Sequence, residues 1–197
     1  MSMISLEEAL DRLAAKQQIL AEPETTSLAD CLGRVLASDI ISAIDVPPAD
    51  NSAMDGYALF SEDWKGPDQA MEISQRITAG MPPTPLKKGT AARIFTGAET
   101  PDGADIVVMQ EKTRTDGQSV WFEAIREPGG NIRPRGQDIQ RGATVLKAGH
   151  RLRAQDLGLI ASLGIASVEV RERLKVAIVS TGEELVEPGE SLQPGQI

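Results

Sequence analysis

"PPADNSAMDGYALF", residues 47–60, sets two acids, an amide, a serine and a methionine beside a Gly-Tyr pair. Pro47 and Pro48 remove two backbone donors, and Asp50, Asn51, Asp55 and Gly56 all favour turns, so the stretch reads as a polar loop rather than a strand. Packing alone does not call for this set of side chains in one place. The loop also lies where the texture of the chain changes.

On its N-terminal side, "SLEEALDRLAAKQQIL" (5–20) has a capping-box pattern in Ser5 and Glu8. Leu6, Leu10, Leu13, Gln17 and Leu20 follow helical spacing with Gln17 as the one polar lapse, which predicts an amphipathic helix. A shorter helix is expected around "SLADCLG" (27–33), stopping at Gly33, and then a strand in "RVLASDII" (34–41). From Asp45 to Asp138 the candidate strands "MEISQRIT", "ARIF", "DIVVMQE" and "VWFEAI" are divided by "AGMPPTPLKKG", "TGAETPDGA" and "EPGGNIRPRG". That spacing predicts an inserted all-β domain, a small antiparallel barrel or sandwich.

Helical periodicity returns in "AQDLGLIASLG" (154–164), ended by Gly164, and "IASVEVRE" reads as a strand. The expected fold class is therefore α+β. Residues 1–44 and 139–172 form one discontinuous, elongated α+β domain, and residues 45–138 form the inserted β domain. Beyond Arg173, "LKVAIVSTGEEL" has the apolar β-branched run and turn that usually open a parallel α/β sheet. With no second strand before "QPGQI", residues 173–197 read as the start of a third domain. No sequence repeat is evident.

The chain has 197 residues, enough for one large or two modest cores, and a net charge of −9. That charge argues against a general affinity for nucleic acid or an acidic membrane, which depends on a positive field. The single cysteine, Cys31, excludes an internal disulfide and a cysteine-built metal site, and is expected in the core. Glu7 and Glu8 interrupt the region where a signal peptide would be apolar, and no apolar run reaches membrane-spanning length. A soluble cytoplasmic protein is expected.

The loops carry the chemistry. Asp50 and Asp55 could approach one hard cation such as Mg²⁺, or Asp50 and Asn51 could be turn caps and Met54 a core filler. Thr96 and Gly97, directly after a strand, could receive an anion or form an ordinary hairpin turn. Arg133 and Arg135 suit phosphate or carboxylate and Asp138 a metal or a proton, but a solvated charged loop has the same look. Ser180 to Glu184 would lie past the end of a strand, where α/β sheets bind ligands, and Thr181 with Glu184 also makes a capping pattern. His150, with no ligand-type neighbour at metal spacing, reads as a surface residue.

Taken together these loops resemble the molybdopterin molybdenumtransferases, the family that includes the C-terminal domain of gephyrin. "DVPPADNSAMDGYAL" carries most of the resemblance. "RIFTGAETPDGADIVVMQE", "GGNIRPRGQDI", "LRAQDLGLIASLGIASVEV" and "VAIVSTGEELVEPGESLQPGQI" follow in the family's order. The resemblance implies ligation of molybdate to the dithiolene of adenylylated molybdopterin, with Mg²⁺ and release of AMP. It implies catalytic roles for Asp55, Thr96, Asp138 and Glu184, with Asp55, Asp138 and Glu184 toward Mg²⁺. It further implies substrate contacts at Asn51, Ser52, Gly97, Arg133, Arg135, Ser180 and Thr181. Gln137 and Glu183 depart from the Glu and Asp common in the family, which puts any role of theirs in doubt.

As partners the resemblance implies a second copy of the chain in an elongated homodimer and a molybdopterin-adenylylating enzyme. The family's active site lies between the β domain of one subunit and the pterin-binding domain of the other, so this piece alone is expected to be inactive. A gephyrin-like scaffold without catalysis is the alternative, and a stand-alone β module binding an anion is a weaker third.

Overall fold

The computed structural model describes residues 4–16 and 18–197. Helix α1 (Leu6–Ala14) begins as its cap predicts, with the Glu8 N–H donating to Ser5 Oγ at 3.1 Å. The Glu8 carboxylate accepts from Arg12 at 2.6 Å, one turn along the helix. The helix ends well short of the predicted Leu20, and Gln17 lies outside the described residues. None of α1 is buried. Its Leu6, Leu10 and Leu13 form an apolar stripe that faces solvent.

Where a second helix is expected, Leu28–Asp30 makes only one tight turn before Gly33 takes a left-handed φ of +76°. "RVLASDII" is mostly irregular. Val35 and Leu36 make single bridges to Arg151 and Val170, and only β2 (Ile40–Ile41) is a strand. It pairs with β11 (Thr144–Leu146) across an irregular register. β1 (Pro23–Ser27) pairs antiparallel with β12 (Ser167–Arg171), Pro23 opposite Arg171 and Ser27 opposite Ser167.

Against these elements packs α2 (Ala154–Ser162), terminated as expected by Gly164 at φ +75°. The core here is Cys31, Leu36, Ile40, Leu152, Ile160, Leu163, Val168 and Val170, so Cys31 is the core residue it was read to be. His150 is not a lone surface residue. Its Nε2 lies 2.8 Å from Asp156 Oδ2, which also accepts the Arg153 N–H at 2.8 Å and caps α2. The turn at 147–150 brings the ring onto the cap, a contact that spacing in the sequence does not announce.

The middle of the chain builds a six-stranded sheet in the order β7-β4-β6-β5-β9-β8. The strands are β4 (Gly56–Leu59), β5 (Met71–Ile77), β6 (Ala91–Ile94), β7 (Ile106–Met109), β8 (Thr113–Thr115) and β9 (Ser119–Phe122). A short pair, β3 (Asn51–Ser52) and β10 (Ile132–Arg133), lies beside it. Four of these strands fall on the predicted ones. The block is not all antiparallel, however, because β5 and β6 run parallel, Arg76 opposite Arg93 and Ile77 opposite Ile94. "AGMPPTPLKKG" is thus a crossover rather than a hairpin, and its length is about the dozen residues a parallel return needs.

Both faces of the sheet are covered. Tyr57, Leu59, Met71, Ala91, Ile106, Val108, Val120 and Phe122 form one cluster. Ala58, Ile77, Ala92, Ile94, Ala98 and Val107 form the other. The cluster around α2 and these two share no residue. The whole is a mixed, sheet-rich fold with few helices.

Residues 173–197 contain neither the predicted strand nor the helix start. Leu174, Val176, Ile178 and Val179 are exposed. The segment's hydrogen bonds run inside itself, such as Val186 N–H to Ile197 O at 3.0 Å. A run of strand-forming residues makes a strand only where another offers its ladder, and no neighbour does so here. No described helix is long and apolar enough to cross a membrane.

Candidate functional site

The loop at 47–60 is organised by Ser52, which is buried. Its hydroxyl donates to Met54 O at 2.6 Å and its backbone pairs with the turn after β6, through Ser52 N–H to Ala98 O at 2.9 Å and Gly97 N–H to Ser52 O at 2.8 Å. Asp55 completes the link: its Oδ1 accepts the Thr96 N–H and the Thr96 hydroxyl, each at 2.8 Å. These bonds, led by the N–H, hold the carboxylate below its usual range, and the nearby Arg93 charge adds to the effect while burial opposes it. Asp55 is therefore an anion at neutral pH. Met54, read as a core filler, is instead exposed.

Gly56 follows because nothing larger fits. A Cβ there would sit 2.0 Å from Val108 O and 3.0 Å from Met109 Cα, both backbone of the paired strand β7. The "MDGY" motif is thus partly a packing requirement. The same local turn occurs once more, so one short repeat exists that the sequence did not suggest: "SAID" (42–45) has Ser42 Oγ donating to Ile44 O at 2.6 Å. Its acid, Asp45, accepts the Arg141 N–H at 2.8 Å and Arg135 Nε at 2.6 Å.

Beside this loop runs "NIRPRGQD". Arg133 on β10 faces Asn51 on β3, and its guanidinium pairs with Asp138 Oδ2 at 2.6 Å. The Arg135 N–H donates to Asp50 Oδ1 at 2.7 Å, so Asp50 ties two distant loops together and does not cap its own turn. Asn51 Oδ1 is a buried oxygen with no hydrogen-bond partner among the described residues. Asn51 also lines an open hollow of about 330 Å³ with Pro48, Gly80, Met81, Gly97 and Glu99. A larger hollow, about 420 Å³, lies in the other part of the molecule beside Arg34 and Arg151 and away from this chemistry.

The fold therefore gathers Asn51, Ser52, Asp55, Thr96 and Gly97, with Arg133, Arg135 and Asp138 joined to them through the β3–β10 pair. It does not gather Ser180, Thr181 and Glu184, which lie exposed in the terminal segment with no hydrogen bond to this cluster. Among the described residues no group of three or more His, Cys, Asp or Glu side chains is placed to hold a metal. Asp55, Asp138 and Glu184 thus do not fit one Mg²⁺ centre within this chain. Arg76, Arg93 and Phe95 escaped the sequence reading, although the period-2 pattern of "AARIF" puts Arg93 and Phe95 on one face.

The fold is that of the MoeA proteins. Two solved structures of the molybdopterin biosynthesis MoeA protein from Pyrococcus horikoshii superpose with a TM-score of 0.88 each, at 36% and 34% identity. They cover 100% and 98% of this chain and it covers 51% and 52% of theirs. A family profile described as the MoeA N-terminal region (domain I and II) matches residues 4–164, and the chain belongs to that family. Molybdopterin molybdenumtransferases of Haemophilus influenzae and of a Nostoc species are each 40% identical to it, over 99% and 94% of the chain. The chain spans about half the length of the curated relatives it matches, 48% and 44% of these two.

Proposed function

We propose that this chain supplies the β-sheet side of a molybdopterin molybdenumtransferase, which inserts molybdate into adenylylated molybdopterin and releases AMP in the cytoplasm. The observation that carries the reading is the Asp55–Thr96 contact, because it brings two motifs 41 residues apart into one anionic, hydroxyl-bearing site. Thr96 positions the carboxylate, and Arg133 and Arg135 supply cationic edges toward an anionic substrate. A molybdopterin-adenylylating enzyme would deliver the substrate. The exposed leucine stripe of α1 suits burial against a second copy, which supports the homodimer.

Residues 1–197 by themselves are proposed to be silent, since they span about half the length of the relatives they match. The test replaces the matching half of the Haemophilus influenzae relative with this chain. The chimera is expected to insert molybdenum when given adenylylated molybdopterin, molybdate and Mg²⁺. A chimera that folds and dimerises without turnover would overturn the enzyme reading in favour of the scaffold.

We further propose that residues 45–138 and the pair 1–44 with 139–172 are separate domains, followed at 173–197 by the start of a third. The buried cluster around α2 draws only on residues 31–40 and 152–170 and the two clusters of the sheet only on residues 57–122, which supports the first division. Limited proteolysis is expected to cut first at the terminal segment and then near 42–48 and 134–142. Early cleavage inside β7 counts against it.

A further inference from the structure

Acids outnumber bases in this chain by 29 to 20, yet two arginines lie side by side with no acid between them. Arg76 on β5 and Arg93 on β6 are direct partners across the parallel pair, and both guanidinium carbons lie 4.5 Å from the centre of the Phe95 ring. Arg93 is held from behind. It lies 5.1 Å from the ring centre of Tyr57, its partner on β4, and donates to Gly56 O at 2.9 Å and Gln110 Oε1 at 2.5 Å, both neutral acceptors.

Arg76 is exposed and, among the described residues, makes no ion pair or hydrogen bond with its guanidinium. Like charges directly opposite on neighbouring strands repel, and of the two only Arg93 has an acid near it, Asp55, so an anion at Arg76 would relieve the repulsion. Both guanidinium groups lie over the Phe95 ring, and the N–H groups of Arg76 are left available. A planar fork of donors matches two oxygens of a tetrahedral anion. Phe95, under both guanidinium groups, directly precedes Thr96, and Arg93 lies near enough to Asp55 to help lower its pKa, which sets the arginine pair beside the Asp55–Thr96 contact.

We propose that Arg76, backed by Arg93 and Phe95, is a receptor for a tetrahedral oxyanion at the rim of the Asp55–Thr96 site. The oxyanion is either the phosphoryl group of the nucleotide-bearing substrate or molybdate itself. The choice between these ligands rests on the function proposed above, whereas the oxyanion chemistry rests on the arginines alone.

The experiment titrates the chain with AMP and, separately, with sodium molybdate in low-salt buffer by calorimetry. Arg114 provides the control, since it is equally exposed, carries the same charge and stacks on Trp121 at 4.8 Å on β8 of the same sheet. Arg76→Gln is expected to weaken binding about tenfold and Arg114→Gln to leave it unchanged. Heat from AMP alone assigns the site to the phosphoryl group, and heat from molybdate alone to the metal oxyanion. If neither ligand binds, or if the two variants weaken binding alike, the proposal is overturned. Binding that needs Arg76, found together with a silent chimera, would keep the oxyanion receptor and remove the proposed enzyme.

Discussion

Gly56→Ala is expected to leave this chain without a cooperative unfolding transition. The new Cβ would meet Val108 O at 2.0 Å and Val108 C at 2.8 Å, and these are backbone atoms that no rotamer change can move aside. β4 is tied on both edges, to β7 with Tyr57 opposite Val108 and to β6 with Tyr57 opposite Arg93. Relief of the clash must therefore break one ladder and open the cluster around Tyr57, Leu59 and Phe122. A loss beyond about 4 kcal/mol is the expected scale, at the severe end for single substitutions. Gly158→Ala in α2 is the matched control, where an added Cβ meets nothing within 4 Å. It should stabilise by about 0.5–1 kcal/mol, because alanine loses less backbone entropy in a helix. Urea unfolding followed by circular dichroism reads both. A Gly56→Ala midpoint close to that of the unaltered chain would show that β7 can shift, and would remove the steric account of the motif.

That strand also shows where the sequence stops being legible. Met71–Ile77, Ala91–Ile94, Ile106–Met109 and Ser119–Phe122 lie between Pro- and Gly-rich breaks, and those breaks mark strands whatever their pairing. Gly56–Leu59 escaped because all four residues are buried, which erases alternation, and because it follows directly on turn formers. Direction of pairing was hidden as well, since parallel order is set by where a crossover returns the chain and not by the residues of either strand. The terminal run "VAIV" shows the converse. It has strand composition but no neighbouring strand among residues 4–197 to pair with, so composition alone does not make it a strand.

The site was less legible than the fold. Asp55 and Thr96 each had an ordinary turn reading, and only the family resemblance joined them before the structure did. Arg76 lies on β5 and Phe95 just past the end of β6, and their contact depends on the parallel register that no local pattern predicts.

Asp55→Asn should reduce molybdenum insertion by the chimera about tenfold or more while its thermal stability stays close to that of the parent. The reason is geometric. Asp55 uses a single oxygen, Oδ1, to accept both the Thr96 N–H and the Thr96 hydroxyl, and an asparagine retains such an oxygen. The turn thus keeps its cap and loses only its negative charge. Because those bonds lower the folded carboxylate's pKa, its stabilising contribution is present above the usual carboxylate range and fades as pH falls through the lowered value. Asp55→Asn should then unfold with a shallower acid limb. The related turn at Asp45 separates charge from capping, since it follows the same Ser-Ala-Ile/Met-Asp pattern and its acid likewise caps a backbone N–H, that of Arg141. If Asp55 served only as a cap, Asp45→Asn and Asp55→Asn would have equal and small effects on turnover. Asp45→Asn is expected to leave turnover within about twofold, because the asparagine keeps the Oδ1 that accepts the Arg141 N–H and Arg135 stays tied through its own N–H to Asp50. Turnover by Asp55→Asn equal to that of the parent chimera would reduce Asp55 to a structural cap.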